Sequence, residues 1–282
     1  MLSIHYFEPI PALRQHISSL YWFEARMPAF ADLMRAELGQ IRLVVEGQPT
    51  STYGAGHSRA GLRAVLQGPT TAPTHYHATG TLTLFGIGLL PLGWAEILGV
   101  PASELADDAV ELDTVLPPPV VARLMDALAS APDNESRCRV VCDFLLARLE
   151  ANRHPACWFT RLADEWLTAT PNPQVDALVA ASGMSARSVE RLTHRLYGAS
   201  PKLLARKYRA LGAAIRLGMG EASNWSEAAG DAFYDQAHFI REFRAFTGLT
   251  PARFQAEIAP LTRITMTRRR QLPGLPNLVR IA

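Results

Sequence analysis

The chain has 282 residues, 48% of them hydrophobic and 19% charged, which excludes a disordered polymer and leaves room for about two folded domains. Its net charge of +2 conceals an asymmetry: residues 1–169 hold 12 Lys+Arg against 18 Asp+Glu, a net of −6, and residues 170–282 hold 16 against 8, a net of +8. A basic C-terminal part behind a mildly acidic N-terminal part suits a chain that meets a polyanion with one end only.

From Met1 to about Thr114 the pattern is strand-like and rich in turns. In Gln40–Gly47 the residues alternate, Ile41, Leu43 and Val45 on one side and Arg42, Val44 and Glu46 on the other. Gly80–Pro91 starts the same way with Leu82 and Leu84. Turn clusters, GQPTSTYGAGH and QGPTTAPTH, separate these runs. Short strands at this spacing predict a small antiparallel barrel or sandwich, followed by one or two short helices at WAEILG and ASELAD.

Within this region His75-Tyr76-His77 raises a metal-site reading, because two imidazoles one residue apart can share an ion. No carboxylate follows before Glu96, so a turn with two exposed imidazoles is preferred. Trp22, Tyr53 and Trp94 could line a pocket, but residues of this kind more often belong to the core or its rim. No paired-carboxylate, Ser/His/Asp or Cys/His arrangement stands out, so no catalytic residue, metal ligand or cofactor is expected. Cys138 and Cys142 lie one helical turn apart, and with Cys157 they support neither a disulfide framework nor a zinc ribbon. No secretory leader or membrane-length apolar run is visible, and a cytoplasmic location is expected with no membrane contact.

After Pro117-Pro118-Pro119 the pattern turns helical. VVARLMDALAS and SRCRVVCDFLLARLE carry apolar residues at three-to-four spacing around the loop APDN, and they either pack on the barrel or pair two subunits. A third helix, WFTRLADEWLTA, ends at Pro171-Asn172-Pro173.

The remainder contains an internal repeat. Val189–Pro201 (VERLTHRLYGASP) aligns without gaps on Phe239–Pro251 (FIREFRAFTGLTP), so that Arg191 meets Arg241, Gly198 meets Gly248 and Pro201 meets Pro251. Each copy follows a short helix and a tight turn. Ser185 and Asp235 are predicted N-caps, Asn224 and Glu227 have capping-box spacing, and Gly183 sits where a tight turn needs a permissive backbone. Helix, turn, amphipathic helix, twice over, is the layout of two helix-turn-helix units. The segment between them reads as one helix of about eighteen residues, ~27 Å at ~1.5 Å per residue. With its flanking units that approaches the ~34 Å of one DNA turn.

On the second amphipathic helix Phe239, Phe243 and Phe246 share one stripe, and Arg241 and Arg244 fall nearly opposite with Ala237 and, further round, His238. Gln236, in the first turn, reaches outward. In the first copy Arg187, Ser188, Glu190, Arg191 and His194 can face DNA. Arginine suits guanine O6/N7, glutamine adenine N6/N7, and Glu190 could accept from cytosine N4. Arg191 and Arg241 have phosphate or scaffold contacts as their alternative, and Lys202, Arg206 and Lys207 are expected to meet DNA backbone or solvent. Thr267–Arg270 reads as a solvated basic tail.

Residues ~155–258 resemble the AraC/XylS family of bacterial transcription regulators. The resemblance is carried by AFYDQAHFIREFRAFTGLTPARF and ASGMSARSVERLTHRLYGASP, with Thr193 where the family has Phe and Ala232 where Gly is common. The N-terminal half is similar, more loosely, to sensor regions found in that family, through PALRQHISSLYW, RAELGQIRLVVEG and LFGIGLLPLGWAEILGVPASELAD. The resemblance implies an α+β chain: a cupin-like β-barrel that binds an effector over 1–116, helices that link or dimerise over 117–153, a double helix-turn-helix over 154–260 and a basic tail over 261–282. It implies double-stranded DNA, a small-molecule effector, RNA polymerase and a second copy of the chain as partners. The rival class is a metal- or substrate-binding cupin-like enzyme with a helical targeting module.

Overall fold

The N-terminal strands form one antiparallel sheet. They are β1 (Leu2–Phe7), β2 (Ile17–Met34), β3 (Gln40–Glu46), β4 (Thr50–Thr52), β5 (Ser58–Ala60), β6 (Ala64–Gln67), β7 (Thr74–Leu89) and β8 (Ala109–Glu111). Their order is β1-β2-β7-β3-β6-β8, with β4 joined to β5 and β7. The spine is the pairing of β2 with β7, which runs from Ile17 opposite Leu89 to Met34 opposite Thr74. A bulge between Arg26 and Ala29 bends it, opposite Gly80, whose φ is +72°. This computed structural model describes residues 2–54, 56–151, 157–271 and 276–281.

Both faces of the sheet are covered, for different reasons. On the convex face Leu20, Trp22, Ile41, Leu43, Leu66, Phe85 and Ile87 join Val121, Leu124, Leu128, Val141, Cys142 and Leu145 in one core. The last six belong to α2 (Pro118–Ser130) and α3 (Asn134–Ala151), so these helices commit their apolar stripes to the sheet. The other face, with Phe23, Phe30, Met34, Val44, Val65, Leu82 and Leu84, curls around a cavity. Arg42 and Val44, on the side of their strand opposite Ile41 and Leu43, line it. Trp22, Tyr53 and Trp94 are core residues, 5%, 2% and 2% exposed, and none lines that cavity.

One local expectation is corrected. His75 and His77 do not lie in a turn: β7 begins at Thr74, and its register with β2 and β4 holds both histidines in a strand with Tyr76 facing inward between them. Both imidazoles are exposed, as expected. The two short helices expected after β7 are present as a single turn, α1 (Pro91–Gly93), running on into a π-helical turn at Trp94–Leu98, and a 3₁₀ turn at Ala102–Glu104.

The C-terminal part is helical: α4 (Cys157–Ala169), α5 (Val175–Ser182), α6 (Ala186–Tyr197), α7 (Pro201–Gly218), α8 (Trp225–Ala229), α9 (Gln236–Thr247), α10 (Pro251–Ala256), α11 (Pro260–Gln271) and α12 (Asn277–Ile281). The solvated-tail reading of Thr267–Arg270 does not hold for the backbone. These residues continue α11, which packs on β2, and α12 buries Leu278 and Val279 in the core around α4 and α7. The side chains of residues 269 and 270 lie outside the described residues.

The two parts meet along a continuous seam. Ala36 N–H donates to the Phe246 carbonyl at 2.7 Å. The Lys207 ammonium, on α7, donates to the Glu37 carbonyl at 2.7 Å and the Thr70 carbonyl at 2.8 Å. Thr70 N–H returns to the Glu37 carbonyl, and Glu37 N–H to the Thr70 hydroxyl. Asp107, at φ +57°, braces the same loop by accepting from Thr71 N–H and the Thr71 hydroxyl. Lys207 is 3% exposed. The expectation that it meets DNA backbone or solvent is therefore corrected; Arg206, also assigned there, pairs within the chain, as described below.

Burial pushes the Lys207 amine down to about 8. A lysine whose folded value is depressed keeps its proton longer in the unfolded chain, so this group makes stability rise between pH 8 and its ordinary 10.5. Lys207→Met should remove the ammonium from the buried Thr70 carbonyl and leave the Glu37 carbonyl with Thr70 N–H alone, cost on the order of 1–3 kcal/mol and flatten that rise. Urea unfolding of both proteins across this pH range checks it; an unchanged slope would show that Lys207 does not couple the seam to protons.

Candidate nucleic-acid interface

The two copies of the repeat are built with the same local chemistry. The Ser185 hydroxyl accepts from Ser188 N–H at the start of α6, and the Asp235 carboxylate accepts from His238 N–H at the start of α9. Both helices end on a left-handed glycine, Gly198 at φ 78° and Gly248 at φ 81°. Two residues on, Ser200 and Thr250 cap the next helices, each with proline in the first turn. Gly183 ends α5 at φ 64°. In the second unit Asn224 accepts from Glu227 N–H, and the Glu227 carboxylate reaches back to Ser223 N–H. α7 has 18 residues, the length the sequence predicts.

Each unit has its own core. Around α9, Phe239, Phe243 and Phe254 pack with Ala213, Ala214 and Leu217 of α7, while Phe246 joins Ala36, Ala210 and Leu211. Around α6, Val189 and Leu196 pack with Phe159, Trp166, Tyr197 and Tyr208. Thr193 is fully buried and its hydroxyl donates to the Glu190 carbonyl, so the missing Phe leaves no orphaned polar group. Ala232 is also accommodated: the positive φ of this turn falls at Gly230, two residues earlier. The Tyr197 hydroxyl stands 2.7 Å from Asp164 Oδ1, and burial raises the Asp164 carboxyl to about 7.

What remains outside these cores is the candidate surface. Arg187, Glu190, Arg191 and His194 on α6 and Gln236, Ala237, Arg241 and Arg244 on α9 are exposed. Ser188 and His238 are half-buried and engaged locally: the Ser188 hydroxyl takes a hydrogen bond from that of Ser185, and His238 Nδ1 accepts from Tyr234 N–H at 3.3 Å. Among the described residues Arg187, Arg191, Arg241 and Arg244 have no hydrogen bond or ion pair within the chain. The arginines and lysine of α7 behave differently. Arg206 forms a bidentate pair with Glu242, both contacts at 2.8 Å, and Arg209 stands 3.9 Å from the same carboxylate. The Arg206 guanidinium holds the Glu242 carboxyl below its usual range. Lys202 is exposed, in keeping with its expected role.

Residue types alone do not separate these two kinds of arginine. The separation comes from Glu242, whose burial on the inner face of α9 puts it against α7. The sequence reading also passed over Tyr234, which is 93% exposed immediately before the Asp235 cap. Its signal was present: a tyrosine beside a recognition helix, off the aromatic stripe.

Residues 178–257 match the family described as "Helix-turn-helix domain". Residues 5–111 match a family described only as a domain of unknown function, DUF6597. No curated protein sequence matches the chain. Among solved structures the chain is similar to ToxT of Vibrio cholerae, with an unsaturated fatty acid bound, at 8% identity and a TM-score of 0.47, over 84% of this chain and 94% of that one. It is also similar to the AraC-like transcriptional activator CuxR, at 9% identity and a TM-score of 0.32, over 68% and 80%. A cupin superfamily protein of Desulfitobacterium hafniense aligns at 11% identity and a TM-score of 0.25, over 32% and 77%.

The matched helices and the twice-built cap geometry define the class: a DNA-binding transcription regulator with two helix-turn-helix units on one connector helix. Within the chain these two units stand behind an antiparallel β domain. No helix among the described residues is long and apolar enough to cross a membrane.

Glu242→Ala should remove the clamp between α9 and α7 and leave Arg206 and Arg209 uncompensated. The Glu242 side chain is 10% exposed and Arg206 39%, so the cost is put at about 1–3 kcal/mol, below that of a fully buried pair. Thermal unfolding measures it; a variant as stable as the parent would show that α9 is held by its phenylalanines alone.

Proposed function

We propose that the chain is a sequence-specific transcription regulator that inserts α6 and α9 into successive major grooves of one duplex and answers to a small molecule held by its N-terminal domain. One observation carries the DNA half of this reading: among the described residues Arg187, Arg191, Arg195, Arg241 and Arg244, on two recognition helices, are exposed and uncommitted, while Arg206 and Lys207 of α7 are engaged within the protein. A helix-turn-helix reads bases from the N-terminal part of its second helix. Arg187 stands in the first turn of α6 and Gln236 opens α9, which favours these two for base edges. Ser188, Glu190, Arg191, His194, Ala237, His238, Arg241 and Arg244 complete the surface, with Ser188 and His238 also serving their own helix starts. Tyr234, on the same edge, suits a sugar or phosphate contact.

The division of labour proposed is sensing over 1–116, linkage over 117–153 and DNA binding over 154–260, with α11 and α12 folded back on both parts. A homodimer and contact with RNA polymerase belong to the same reading. Because α2 and α3 turn their apolar faces to the sheet, a second copy would use another surface of the N-terminal domain. The enzyme reading draws no support from the histidine pair, since Asp32 of the flanking strand stands opposite Tyr76 and accepts from Leu261 N–H; among the described residues no group of three or more His, Cys, Asp or Glu could hold a metal ion.

Selection of binding sites from random duplexes tests the proposal. Arg187→Ala and Gln236→Ala should each relax preference at one base position, worth roughly 1–3 kcal/mol there. Equal weakening on every sequence would reassign the residue to phosphate, and binding without any sequence preference, falling steeply with salt, would overturn the regulator reading.

A further inference from the structure

The cavity on the concave face of the sheet is open to solvent, and the space not occupied by atoms, solvent at its mouth included, is about 940 Å³. Its polarity is laid out in rows. Ser19 and Gln40 flank Gly88, and Tyr21 and Arg42 flank Gly86 in the next row. One step further, Phe23 and Val44 flank Leu84. Along these three strands polar residues thus give way to Phe23, Val44 and Leu84; Arg59 and His77 also line the cavity, Arg59 with its guanidinium held by the Asp108 carboxylate. Gly86 is required here. A Cβ at that position would stand 2.0 Å from the Tyr21 ring, which lies across the strand and donates its hydroxyl to Gln40 Oε1.

The polar end carries its own counter-charge. Arg42 donates to Gln40 Oε1, to Gln67 Oε1 at 3.0 Å and to the Tyr76 hydroxyl at 2.6 Å. The Glu37 carboxylate stands 3.9 Å from the guanidinium and accepts from Gln40 Nε2 at 2.9 Å. A carboxylate entering this end would find the guanidinium fork occupied and a like charge beside it. A hydroxyl group could donate to the Tyr21 oxygen, and a hydroxyl, ether or carbonyl could accept from the Ser19 hydroxyl, at no such cost.

The wall is not made by the sheet alone. Leu261 and Thr265, from α11 beyond the helix-turn-helix domain, line the same cavity. α11 is seated there by the Asp32 carboxylate, which accepts from Leu261 N–H at 2.9 Å, and by Thr262, whose hydroxyl lies 3.4 Å from the Leu33 carbonyl. The strand end that carries these contacts runs into the seam: Met34 and Glu37 line the cavity, Ala36 bonds Phe246, and the Glu37 carbonyl bonds Lys207.

We propose that this cavity binds an uncharged amphipathic molecule, its neutral polar group toward Gln40 and Arg42 and its apolar body against Phe23 and Leu84, with α11 as the wall through which occupancy reaches the DNA-binding part. This rests on the effector half of the proposed function and names the effector's chemical class. Occupancy is felt at two places joined covalently or by hydrogen bonds to α9 and α7: the α11 wall and the Glu37 backbone.

Fluorescence of N-phenyl-1-naphthylamine, a neutral probe that brightens in apolar surroundings, tests it on the full chain without DNA. The probe should bind, and 1-decanol should displace it at a concentration at least about ten-fold below that needed for decanoate at neutral pH. Leu84→Trp, on the sheet, and Thr265→Trp, on α11, should each weaken probe binding about ten-fold or more, with thermal melts confirming that both fold. Stronger competition by decanoate overturns the neutral class, and it does so on the wild-type chain even if a variant fails to fold. Full probe affinity in Thr265→Trp beside loss in Leu84→Trp overturns the α11 wall. Affinity untouched in both, or no probe binding at all, overturns the site. Loss of operator selectivity would sink the DNA reading and leave these outcomes unaffected.

Discussion

Lys207 is the point through which the two parts of the molecule are held in one arrangement. Its ammonium is enclosed where the connector helix meets the β domain, and it is satisfied by the carbonyls of Glu37 and Thr70, which are themselves tied to one another. A buried ammonium is tolerated only where such acceptors are fixed in place. That fixity propagates. The strand end at residues 32–37 and the loop at 69–72 are held in register with α7, and α7 carries both helix-turn-helix units. The C′ glycines of both recognition helices sit at the same seam. A Cβ at Gly198 would stand 2.7 Å from Pro69, and one at Gly248 would stand 2.8 Å from Leu33.

This arrangement gives the recognition helices two distinct ends. Their C-terminal ends are pressed on the β domain, and their N-terminal turns, with Arg187 and Gln236, are open to solvent. The charge asymmetry between the halves follows from the same geometry. Part of the C-terminal basic charge is engaged internally, Arg206 and Arg209 by Glu242 and Lys207 by the seam carbonyls, and five further arginines are on α6 and α9. A change at the seam would alter how the two units stand relative to each other without touching the exposed residues of α6 and α9; on the proposed reading, this is how an event in the N-terminal domain would reach DNA affinity.

Much of the architecture was legible because it is local. The N-caps Ser185 and Asp235, the glycines at 183, 198 and 248 and the aromatic stripe of α9 are fixed by neighbours within a few residues, and each stands where periodicity and cap chemistry place it. The strand β3 was legible as a strand but not in its environment. Alternation shows two faces, and only the curl of the sheet shows that the face with Arg42 encloses a cavity. His75 and His77 were misplaced into a turn because Thr74 and Pro73 resemble a turn cluster, whereas pairing with β2 and β4 extends the strand through them. The basic C-terminal run misled in the same way, since the helix that carries it is seated by Leu261 and Thr262 on Asp32 and Leu33, more than 200 residues away in sequence.

The sequence by itself determined the two helix-turn-helix units, the length of the rod between them and the strand-rich character of the first hundred residues. Periodicity, caps and glycine positions act over single turns, and they leave a readable trace. Tertiary structure alone decided which cations are available to DNA, where the cavity closes and how the two parts are joined. Those outcomes depend on the desolvation of Lys207, Arg206 and Arg42 by partners brought together from distant segments. Nothing in the spacing of the lysines and arginines distinguishes one that is buried against a carbonyl from one that is open to water.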